Sequence, residues 1–389
     1  MPDKLTLALI GCGGMMGAHV EGYRELYNAG LKDFEIIACC DVDGARAAGM
    51  ADSIAGFQGR KPAIFDSVEA LLAGEPGLMA CDISVVHRNH HIAALPCFEA
   101  GKHVTIEKPL GFTMRTGKMM LDAAAKAGTV FQVAENYRRD PAQRAIKRAI
   151  DSGRIGDLRM IFWHDCGERL WYWSWREHKD QAGGGWPLDG GVHFADLFRY
   201  HIGPVVDVSC ETRQFNPFRY ANSDLTGRQI PVDVEDTVFA TLRFEGDVLG
   251  SWISTAAAPG AGFSKRIIYG SEGSIEWGVG LTSRTEQVSE ADLVAQYREQ
   301  LDCDEEQRLF PACIADTVAT ELHEFVQACL TGSPIEVDGL EGYKAEAICF
   351  ALYESAFLRR PVTTAEVENL EIENYQRELN EGLERPAAP

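Results

Sequence analysis

Long apolar runs are absent from this sequence, and no stretch approaches the roughly 20 consecutive apolar residues that a transmembrane helix needs. Basic side chains are few: 37 Lys and Arg stand against 58 Asp and Glu, which gives a net charge of −21. A surface this acidic repels the phosphates of nucleic acids and of anionic lipids. We therefore expect neither a nucleic acid nor a membrane as a partner.

Cysteine pairs of the Cys-x-x-Cys kind are also missing, although the chain has 11 cysteines. The amino-terminal segment MPDKLTLALIGCGG lacks the cleavage pattern of a signal peptide and enters an apolar stretch at once. Scattered cysteines in a chain of 389 residues are typical of reduced thiols, so we expect a cytoplasmic protein. No carboxylate stands at ligand spacing from the adjacent His90 and His91, which predicts no metal site.

What the sequence does contain, over residues 1–135, is an alternation of strand-like and helix-like segments. Leu5 to Ile10, Phe34 to Cys40 and Cys81 to Val86 are apolar enough for buried strands, and helical patterns lie between several of the strand-like segments. Alternation of this kind predicts a doubly wound parallel sheet with helices on both faces, the Rossmann arrangement.

The pattern changes after Asn136, where β-branched and aromatic segments are separated by glycines. Such segments predict an α+β domain with an open, mostly antiparallel sheet. Two amphipathic helical patterns follow, at residues 317–332 and 342–360, and we expect them to pack back on the whole chain. The overall prediction is an α/β protein with a first domain at residues 1–135 and a second at residues 136–389.

A glycine-rich loop joins the first strand to the first helix in the segment LALIGCGGMMGAHVEGY. Gly11 lets the chain turn tightly, and Gly13 lets the backbone approach a pyrophosphate, which then faces the free amides and the dipole of the new helix. Met16 occupies the usual third glycine position, with Gly17 one place later. The order strand, glycine loop, helix predicts a dinucleotide site.

An acidic residue, Asp41, ends the second strand in FEIIACCDVD. A carboxylate there can accept hydrogen bonds from the ribose diol of adenosine and would repel a 2′-phosphate, which predicts NAD rather than NADP. Asp43 could share this role. The alternative is that Asp41 is an ordinary solvated acid at the end of a strand.

A lysine, Lys108, follows the strand-like Val104 to Ile106 in the segment VTIEKPLG, with Glu107 before it and Pro109 after it. Strand ends at the carboxyl edge of a parallel sheet line the cofactor crevice. Lys108 could therefore hydrogen-bond a reacting oxygen and stabilise negative charge on it, while Pro109 fixes the local turn. The alternative is a solvated lysine, since most lysines near strand ends are simply solvated.

Five of the seven tryptophans fall between Trp163 and Trp186. Aromatic faces pack well against the C–H faces of sugars, and Arg176 could bind hydroxyls beside them. The alternative interpretation places most of these tryptophans in the core or in a subunit interface. Because the open face of such a sheet needs covering, we also expect a homodimer or homotetramer.

Two longer segments join the glycine loop: VVHRNHHIAALPCFEAGKHVTIEKPLG and GGGWPLDGGVHFADLFRYHIG. Together with ENYRRDP and the carboxyl-terminal segment EFVQACLTGSPIEVDGLEGYKAEAICFALYESAFLRRPVTT, they make the chain resemble the Gfo/Idh/MocA family, which includes glucose–fructose oxidoreductase and inositol dehydrogenase. The resemblance implies a dinucleotide domain paired with an open-sheet domain, and mostly the oxidation or reduction of a sugar-like alcohol.

Three catalytic residues follow from the resemblance: Lys108, His193 and Asp189. His193 would be the proton acceptor, because an imidazole titrates near neutral pH. If Asp189 starts a helix that runs to Ile202, the two side chains share one face, and Asp189 could orient His193 or bind a substrate hydroxyl. The alternative is a capping Asp189 with a His193 in the core.

The remaining expected site residues come from the motifs and the resemblance together. The expected cofactor-binding residues are Gly11, Gly13, Gly14, Met15, Met16, Asp41, His87, Asn89, His90, Glu107, Lys108 and Asn136. The expected substrate contacts are Lys108, Tyr137, Arg138, Trp163, Arg176, Asp189 and His193. The family's usual Thr-Pro is replaced here by Val86 and His87.

The function expected from these residues is an NAD-dependent oxidoreductase that acts on a carbinol carbon of a carbohydrate or cyclitol. Two alternatives remain open. Some members of the family retain NAD and hydrolyse a glycosidic bond through transient oxidation. A non-catalytic sensor of a sugar or nucleotide is the other, because fold alone does not fix function.

Overall fold

The computed structural model describes residues 4–383. Strands and helices alternate up to residue 140, and these elements are β1 (Leu5–Ile10), α1 (Gly14–Asn28), β2 (Phe34–Cys40), α2 (Gly44–Gln58), β3 (Ala63–Phe65), α3 (Val68–Gly74), β4 (Ala80–Ile83), α4 (His90–Glu99), β5 (His103–Glu107), α5 (Met114–Ala127) and β6 (Phe131–Ala134). The expected strands at Leu5 to Ile10 and Phe34 to Cys40 are confirmed, whereas the third expected strand, β4, ends at Ile83 and not at Val86.

The next elements are α6 (Pro141–Asp151), β7 (Leu158–Cys166), α7 (Lys179–Ala182), α8 (Trp186–Asp189), α9 (Gly191–His201), β8 (Val205–Arg213), β9 (Phe218–Tyr220), β10 (Gln229–Pro231), β11 (Thr237–Phe244), β12 (Leu249–Thr255), β13 (Phe263–Gly270), β14 (Gly273–Glu276), β15 (Gly280–Ser283), β16 (Gln287–Ser289) and α10 (Glu290–Gln300). The last elements are α11 (Cys303–Leu309), α12 (Thr317–Thr331), α13 (Gly339–Leu358), β17 (Val362–Thr363), α14 (Thr364–Glu368) and α15 (Arg377–Leu383).

Contacts within the chain divide it into two units. The first contains the described residues up to Phe112, with Thr116–Asp140 and Leu301–Tyr343; the second contains Thr113–Arg115, Pro141–Gln300 and the described residues from Lys344 onward. The sequence placed the domain boundary at residue 135, close to the change at residue 140. Residues 301–343, which the sequence assigned to the second domain, lie with the first unit.

The first unit contains a parallel sheet of six strands in the order β3-β2-β1-β4-β5-β6. This is the strand order of a dinucleotide-binding Rossmann fold, as expected. α12 completes its core, because Leu322 and Phe325 are buried in one cluster with Leu7, Val20 and other residues of β1 and α1. The helices at α2 and α3 and the short strand β3 were not predicted.

Nine strands form the main sheet of the second unit, in the order β16-β15-β14-β13-β7-β12-β11-β8-β17. Neighbouring strands are antiparallel except for β7 and β12, which are parallel. Alternate residues of β11 are exposed, so one face of the sheet is open there. The expected α+β unit with an open, mostly antiparallel sheet is therefore confirmed.

Trp163 lies in the core of the second unit and is 1% exposed. Its ring centroid is 4.6 Å from that of Phe194, 5.4 Å from that of Phe198 and 5.1 Å from that of Trp277. An indole enclosed by three aromatic rings has no face left for a ligand. The prediction that Trp163 contacts substrate is therefore wrong, and the core alternative holds for this tryptophan.

The helix expected to run from Asp189 to Ile202 is interrupted. Asp189 is the last residue of α8, Gly190 separates the two segments, and α9 begins at Gly191 and carries His193 in its first turn. A Cβ on Gly190 would come within 2.4 Å of the Trp186 ring, so a side chain at the break would require this ring to move. Across residues 4–383, the structure holds no helix with the length and apolarity to cross a membrane.

Candidate active site

The glycine loop of the first unit has the geometry that the sequence predicted. Gly11 has a φ of +86°, and a Cβ there would lie 2.2 Å from the carbonyl oxygen of Ser84, at the end of the adjacent strand β4. Both facts exclude a side chain at this position. By contrast, a Cβ on Gly13 or Gly14 would meet no protein atom within 4 Å.

That open space lies where α1 begins. Gly13 is the N-cap residue of α1, and no side chain caps the helix. Unsatisfied amides and the positive end of the helix dipole therefore face a space that is free of protein atoms, which is the requirement for binding a pyrophosphate. The residues present fit a dinucleotide. Met15 is half-buried, and the fully buried Met16 side chain packs into the core.

Asp41 is fixed against this loop. Its Oδ2 accepts a hydrogen bond of 2.7 Å from the backbone amide of Cys12, and its Oδ1 accepts one of 2.8 Å from the amide of Asp43. The Asp43 side chain caps α2 by accepting from Ala45 and Arg46. A carboxylate oxygen has two lone pairs, so Asp41 keeps acceptor capacity beside the loop. The Asp43 side chain, by contrast, is already used to cap α2.

Lys108 follows the carboxyl end of β5, which pairs with β4, and β4 pairs with β1. Because these strands are parallel, Lys108 and the glycine loop lie at the same edge of the sheet. The Lys108 side chain is half-buried, and the Lys108–Pro109 peptide bond is cis. The structure thus brings Gly11, Asp41 and Lys108 to one edge within the first unit.

Glu107 points into the first unit. Its side chain is 7% exposed, its Oε1 lies 3.0 Å from Nε2 of the fully buried His19, and its Oε2 accepts a hydrogen bond of 3.1 Å from the Lys108 amide. The sequence singled out Glu107 but missed His19. The missing signal is a tertiary one, because His19 precedes Glu107 by 88 positions.

His90 was expected to contact the cofactor, and the structure contradicts this. The ring is completely buried, with Nδ1 3.2 Å from the carbonyl oxygen of Leu110 and Nε2 3.2 Å from that of Val85. Burial, with His87 as a further cause, lowers the pKa of His90 to about 4, so the ring is neutral and donates to only one of these two carbonyl oxygens. It holds the loop that follows Lys108 and has no free edge for a ligand.

The other expected residues of this unit differ in exposure. His87 is 3% exposed, Asn89 is half-buried at the start of α4, and Tyr137 is 40% exposed. Asn136 donates a 2.9 Å hydrogen bond from Nδ2 to the Thr317 hydroxyl. Arg138 is 5% exposed and contacts the carbonyl oxygen of Glu336. Ligand contacts for these five positions stay predictions.

A cavity of about 290 Å³ lies within the second unit. Trp171, Trp173 and Trp186 contribute to its wall, and the Trp173 and Trp186 rings are stacked with centroids 6.1 Å apart. Arg176 and Asp189, both expected as substrate contacts, line the same cavity, and Arg176 Nε donates a 3.1 Å hydrogen bond to Asp189 Oδ1. The guanidinium also lies over the Trp175 ring, 4.5 Å from its centroid.

Every arginine that lines this cavity is paired, and the carboxylates outnumber the arginines by five to three. Each of its three arginines contacts a carboxylate, and the pairs are Arg169 with Asp165, Arg176 with Asp189 and Arg219 with Glu177. Two further carboxylates are held by the donors around them. Glu235 accepts from the Gly185 amide and the Tyr353 hydroxyl, and Asp236 accepts from the amides of residues 215 and 216.

Burial raises the pKa of Glu235, although the hydrogen bond from Tyr353 opposes this shift. Burial also raises the pKa of Glu177, and the Arg219 guanidinium opposes it. The sequence did not identify Glu177, Arg219 or Glu235 as site residues. No local pattern marks them, because Arg219 and Glu235 come from separate segments that only the folded unit brings to Glu177.

His193 is 8% exposed and lies in the first turn of α9, shortly after Gly190, which separates α9 from Asp189 at the end of α8. Across residues 4–383, no group of three or more His, Cys, Asp or Glu side chains is arranged to hold a metal ion. The chemistry available in the second unit is therefore a set of paired carboxylates, a histidine and aromatic faces, which suits recognition of hydroxyl groups.

Comparison with known proteins assigns both parts of the chain. Residues 5–135 match the Gfo/Idh/MocA model described as "Oxidoreductase family, NAD-binding Rossmann fold", and residues 147–364 match the model described as "Oxidoreductase family, C-terminal alpha/beta domain". Levoglucosan dehydrogenase of Pseudarthrobacter phenanthrenivorans is 29% identical over 318 residues, which cover 72% of this chain and 79% of that protein.

Two further similarities extend over nearly the whole chain. Inositol 2-dehydrogenase 2 of Saccharopolyspora erythraea is 27% identical over 365 residues, which cover 90% of this chain and 93% of that protein. A solved structure of levoglucosan dehydrogenase in complex with NADH and L-sorbose is 26% identical, has a TM-score of 0.75, and covers 93% of this chain and 99% of its own.

The glycine loop gives a first test. Gly13 has a φ of −84° with extended ψ, a conformation that any residue adopts, and its Cβ direction is open. We expect Gly13→Val to fold normally but to bind NADH at least about tenfold more weakly, because the new side chain fills the space for the pyrophosphate. Fluorescence titration with NADH and thermal unfolding without cofactor measure the two effects.

Gly49→Val is the matched control for this substitution. Gly49 also has no protein atom within 4 Å of its Cβ direction, but it lies on α2, away from the loop. Its NADH affinity should equal that of the unaltered protein. Normal affinity in Gly13→Val would remove the assigned role of the loop.

Proposed function

Since the chain belongs to the Gfo/Idh/MocA family of NAD-binding oxidoreductases, we propose that it oxidises or reduces an uncharged sugar or cyclitol at a carbinol carbon, with NAD as its cofactor. The observation that carries the substrate class is the cavity of the second unit. Its tryptophans provide apolar faces, and its arginines are already paired with carboxylates.

Paired charges favour hydroxyl groups over anions. A phosphate or carboxylate on the substrate would meet arginines whose charge is neutralised, and it would also meet the carboxylates of Glu235 and Asp236. A sugar hydroxyl both donates and accepts, so it can bind to a paired guanidinium and to a carboxylate at once. The relatives named for levoglucosan and inositol are named for uncharged polyols, which supports the same class.

Lys108 and His193 have different roles at the substrate hydroxyl. The chemistry that NAD supplies is acceptance of a hydride from the carbinol carbon. The Lys108 ammonium donates a hydrogen bond to the substrate oxygen and stabilises the negative charge that develops on it. His193 accepts the hydroxyl proton as the carbonyl forms, and the reverse reaction returns it. Asp189 binds a hydroxyl of the sugar together with Arg176.

Assembly and location stay proposals. Phe239, Leu249 and Phe263 lie on the open face of the nine-stranded sheet and are 52%, 59% and 53% exposed. An apolar sheet face of this kind is stabilised by burial against a second copy of the chain, which supports a homodimer or homotetramer. The scattered cysteines support a cytoplasmic location.

Cofactor preference is tested at Asp41. We expect NAD to bind more tightly than NADP, because the Asp41 carboxylate accepts from a ribose diol and repels a 2′-phosphate. Asp41→Ser should reduce the difference between the affinities for NAD and NADP, as measured by titration with both cofactors. Asp43→Asn is the control, since asparagine also caps α2 and leaves Asp41 in place. Equal affinities in the unaltered protein would contradict the assignment.

Substrate class is tested with matched sugars. Glucose, glucose 6-phosphate and glucuronate share a ring and differ in charge, and inositol adds a cyclitol. We expect NADH formation, followed by absorbance, with uncharged sugars or cyclitols and at least about tenfold lower kcat/KM with each charged counterpart. A preference for the charged sugars would overturn the proposal. Release of free sugar from a glycoside without net NADH would indicate the NAD-retaining glycosidase instead.

The catalytic role is tested at Lys108. Lys108→Met should lose on the order of a hundredfold or more in turnover, because single preorganised donors at a reacting oxygen have effects of that size. NAD affinity should stay within a few-fold. His193→Ala should also lose turnover, with partial recovery at high pH, and the two losses should not add because both residues serve one oxygen. Single-turnover NADH formation measures these rates.

Lys102→Met is the control for Lys108→Met. Lys102 precedes the amino end of β5 and donates to the carbonyl oxygen of Leu78. It lies at the opposite edge of the sheet, so its loss should leave turnover unchanged. Near-normal turnover in Lys108→Met would show that Lys108 is a solvated lysine without a catalytic role.

A further inference from the structure

A buried histidine in α1, His19, lies between two carboxylates of the parallel sheet. Its Nδ1 is 3.0 Å and 2.9 Å from the two oxygens of Asp82 on β4, and its Nε2 is 3.0 Å from Oε1 of Glu107 on β5. The His19 and Asp82 side chains are 0% exposed, and that of Glu107 is 7% exposed. No part of the proposed reaction uses His19 directly.

The geometry sets the protonation state of His19. Ionised carboxylates only accept hydrogen bonds, so a ring with a carboxylate at each nitrogen must donate from both, which requires an imidazolium. Burial alone would lower the pKa of His19, but Asp82 and Glu107 outweigh it and hold the pKa well above the usual 6.5. A protonated His19 thus donates from Nδ1 to Asp82 and from Nε2 to Glu107.

Groups from every neighbouring element belong to this environment. Tyr23, one turn further along α1, donates a 3.0 Å hydrogen bond to Asp82 Oδ2. Glu321 of α12 is 1% exposed and interacts electrostatically with His19, Glu107 and Arg139. Burial raises the pKa of Glu321 well above its usual value, with Arg139 and His19 opposing the shift. Asp82 and Glu107 therefore remain the direct partners of the ring.

Glu107 connects the ring to the catalytic edge of the sheet. One carboxylate oxygen faces His19, and the other accepts the 3.1 Å hydrogen bond from the backbone amide of Lys108. The orientation of this carboxylate therefore depends on the ring and in turn fixes the backbone that carries the Lys108 ammonium. A displacement of about 1 Å at a reacting group can cost on the order of a hundredfold in rate.

We propose that His19 is a positioning residue for the reaction: as a buried imidazolium it holds Glu107, and Glu107 holds the backbone of Lys108 so that the ammonium meets the substrate oxygen. The inference rests on the proposed catalytic role of Lys108. It adds a residue that touches neither substrate nor cofactor and that acts through two hydrogen bonds.

Kinetics of His19→Gln test the positioning. Glutamine is uncharged, and its single amide group cannot replace two ring nitrogens that donate to carboxylates on opposite sides. We expect turnover to fall on the order of ten- to a hundredfold, with KM for the sugar and affinity for NAD within a few-fold. A purely structural residue would lower thermal stability and leave turnover of the folded enzyme unchanged. His103→Gln is the control, because the His103 ring only accepts from the Val130 amide.

A double substitution separates this inference from the proposed function. In the Lys108→Met background, His19→Gln should have no further effect on turnover, because the residue acts through Lys108. An equal loss in both backgrounds would overturn the positioning role while leaving Lys108 catalytic. If Lys108→Met itself retains turnover, the result contradicts the proposed catalytic role of Lys108, and not only the positioning role of His19. Should His19→Gln not fold, Glu107→Gln breaks the same link and should lose turnover similarly.

Nuclear magnetic resonance of nitrogen-15-labelled histidine provides a readout without cofactor or substrate. We expect two strongly deshielded ring N–H protons for His19, which persist well above the usual histidine pKa of 6.5. Glu107→Gln should shift one of them, which assigns the signal. A single N–H proton, or titration of the ring near 6.5, would show a neutral His19 and overturn the inference whatever the kinetics.

Discussion

The His19 ring, held between Asp82 and Glu107, fixes α1 on two neighbouring strands of the parallel sheet. Losing one partner of a buried ion pair typically costs ~3–5 kcal/mol, because the other charge is left without compensation. α1 begins directly after the glycine loop, and Glu107 directly precedes Lys108. One cluster therefore sets the positions of the loop and of the lysine, and neither can shift without disturbing the other.

Paired charges also line the cavity of the second unit. The guanidinium of Arg176 is held by Asp189 and by the ring of Trp175, and Arg219 is held by Glu177. Side chains fixed in this way lose little further freedom when a ligand binds. Three arginines and five carboxylates line the cavity, and each arginine contacts a carboxylate, so an anionic ligand would meet no uncompensated positive charge. This supports the proposal of an uncharged ligand.

Features with a local cause were predictable from the sequence. The strand Leu5–Ile10 follows from its apolar run, the turn at Gly11 from a conformation that only glycine accepts, and the parallel sheet from the alternation of strands and helices. The place of Lys108 and Asp41 at one edge of the sheet was predictable because each directly follows a strand. Those positions lie at the same edge of any parallel sheet, whatever the rest of the chain does.

Predictions that depended on the direction of a side chain were less reliable. Trp163 and Trp173 carry the same aromatic signal, yet Trp163 is 1% exposed in the core and Trp173 is 47% exposed at the cavity. His90 follows a strand end like a ligand-binding residue, but its ring is enclosed by backbone carbonyls. The helix expected to begin at Asp189 is interrupted at Gly190, where the Trp186 ring occupies the space that a side chain would need.

The sequence by itself therefore determined the two-part α/β architecture, the glycine loop and the residues that follow the strands, because hydrophobic periodicity and glycine conformation act within a few residues. Only the tertiary structure decided that α12 joins the first unit, that His19 meets Glu107, and that Glu177 meets Arg219. A buried charge needs a partner close in space, not close in sequence. The partners are therefore fixed only when the whole core has closed around them.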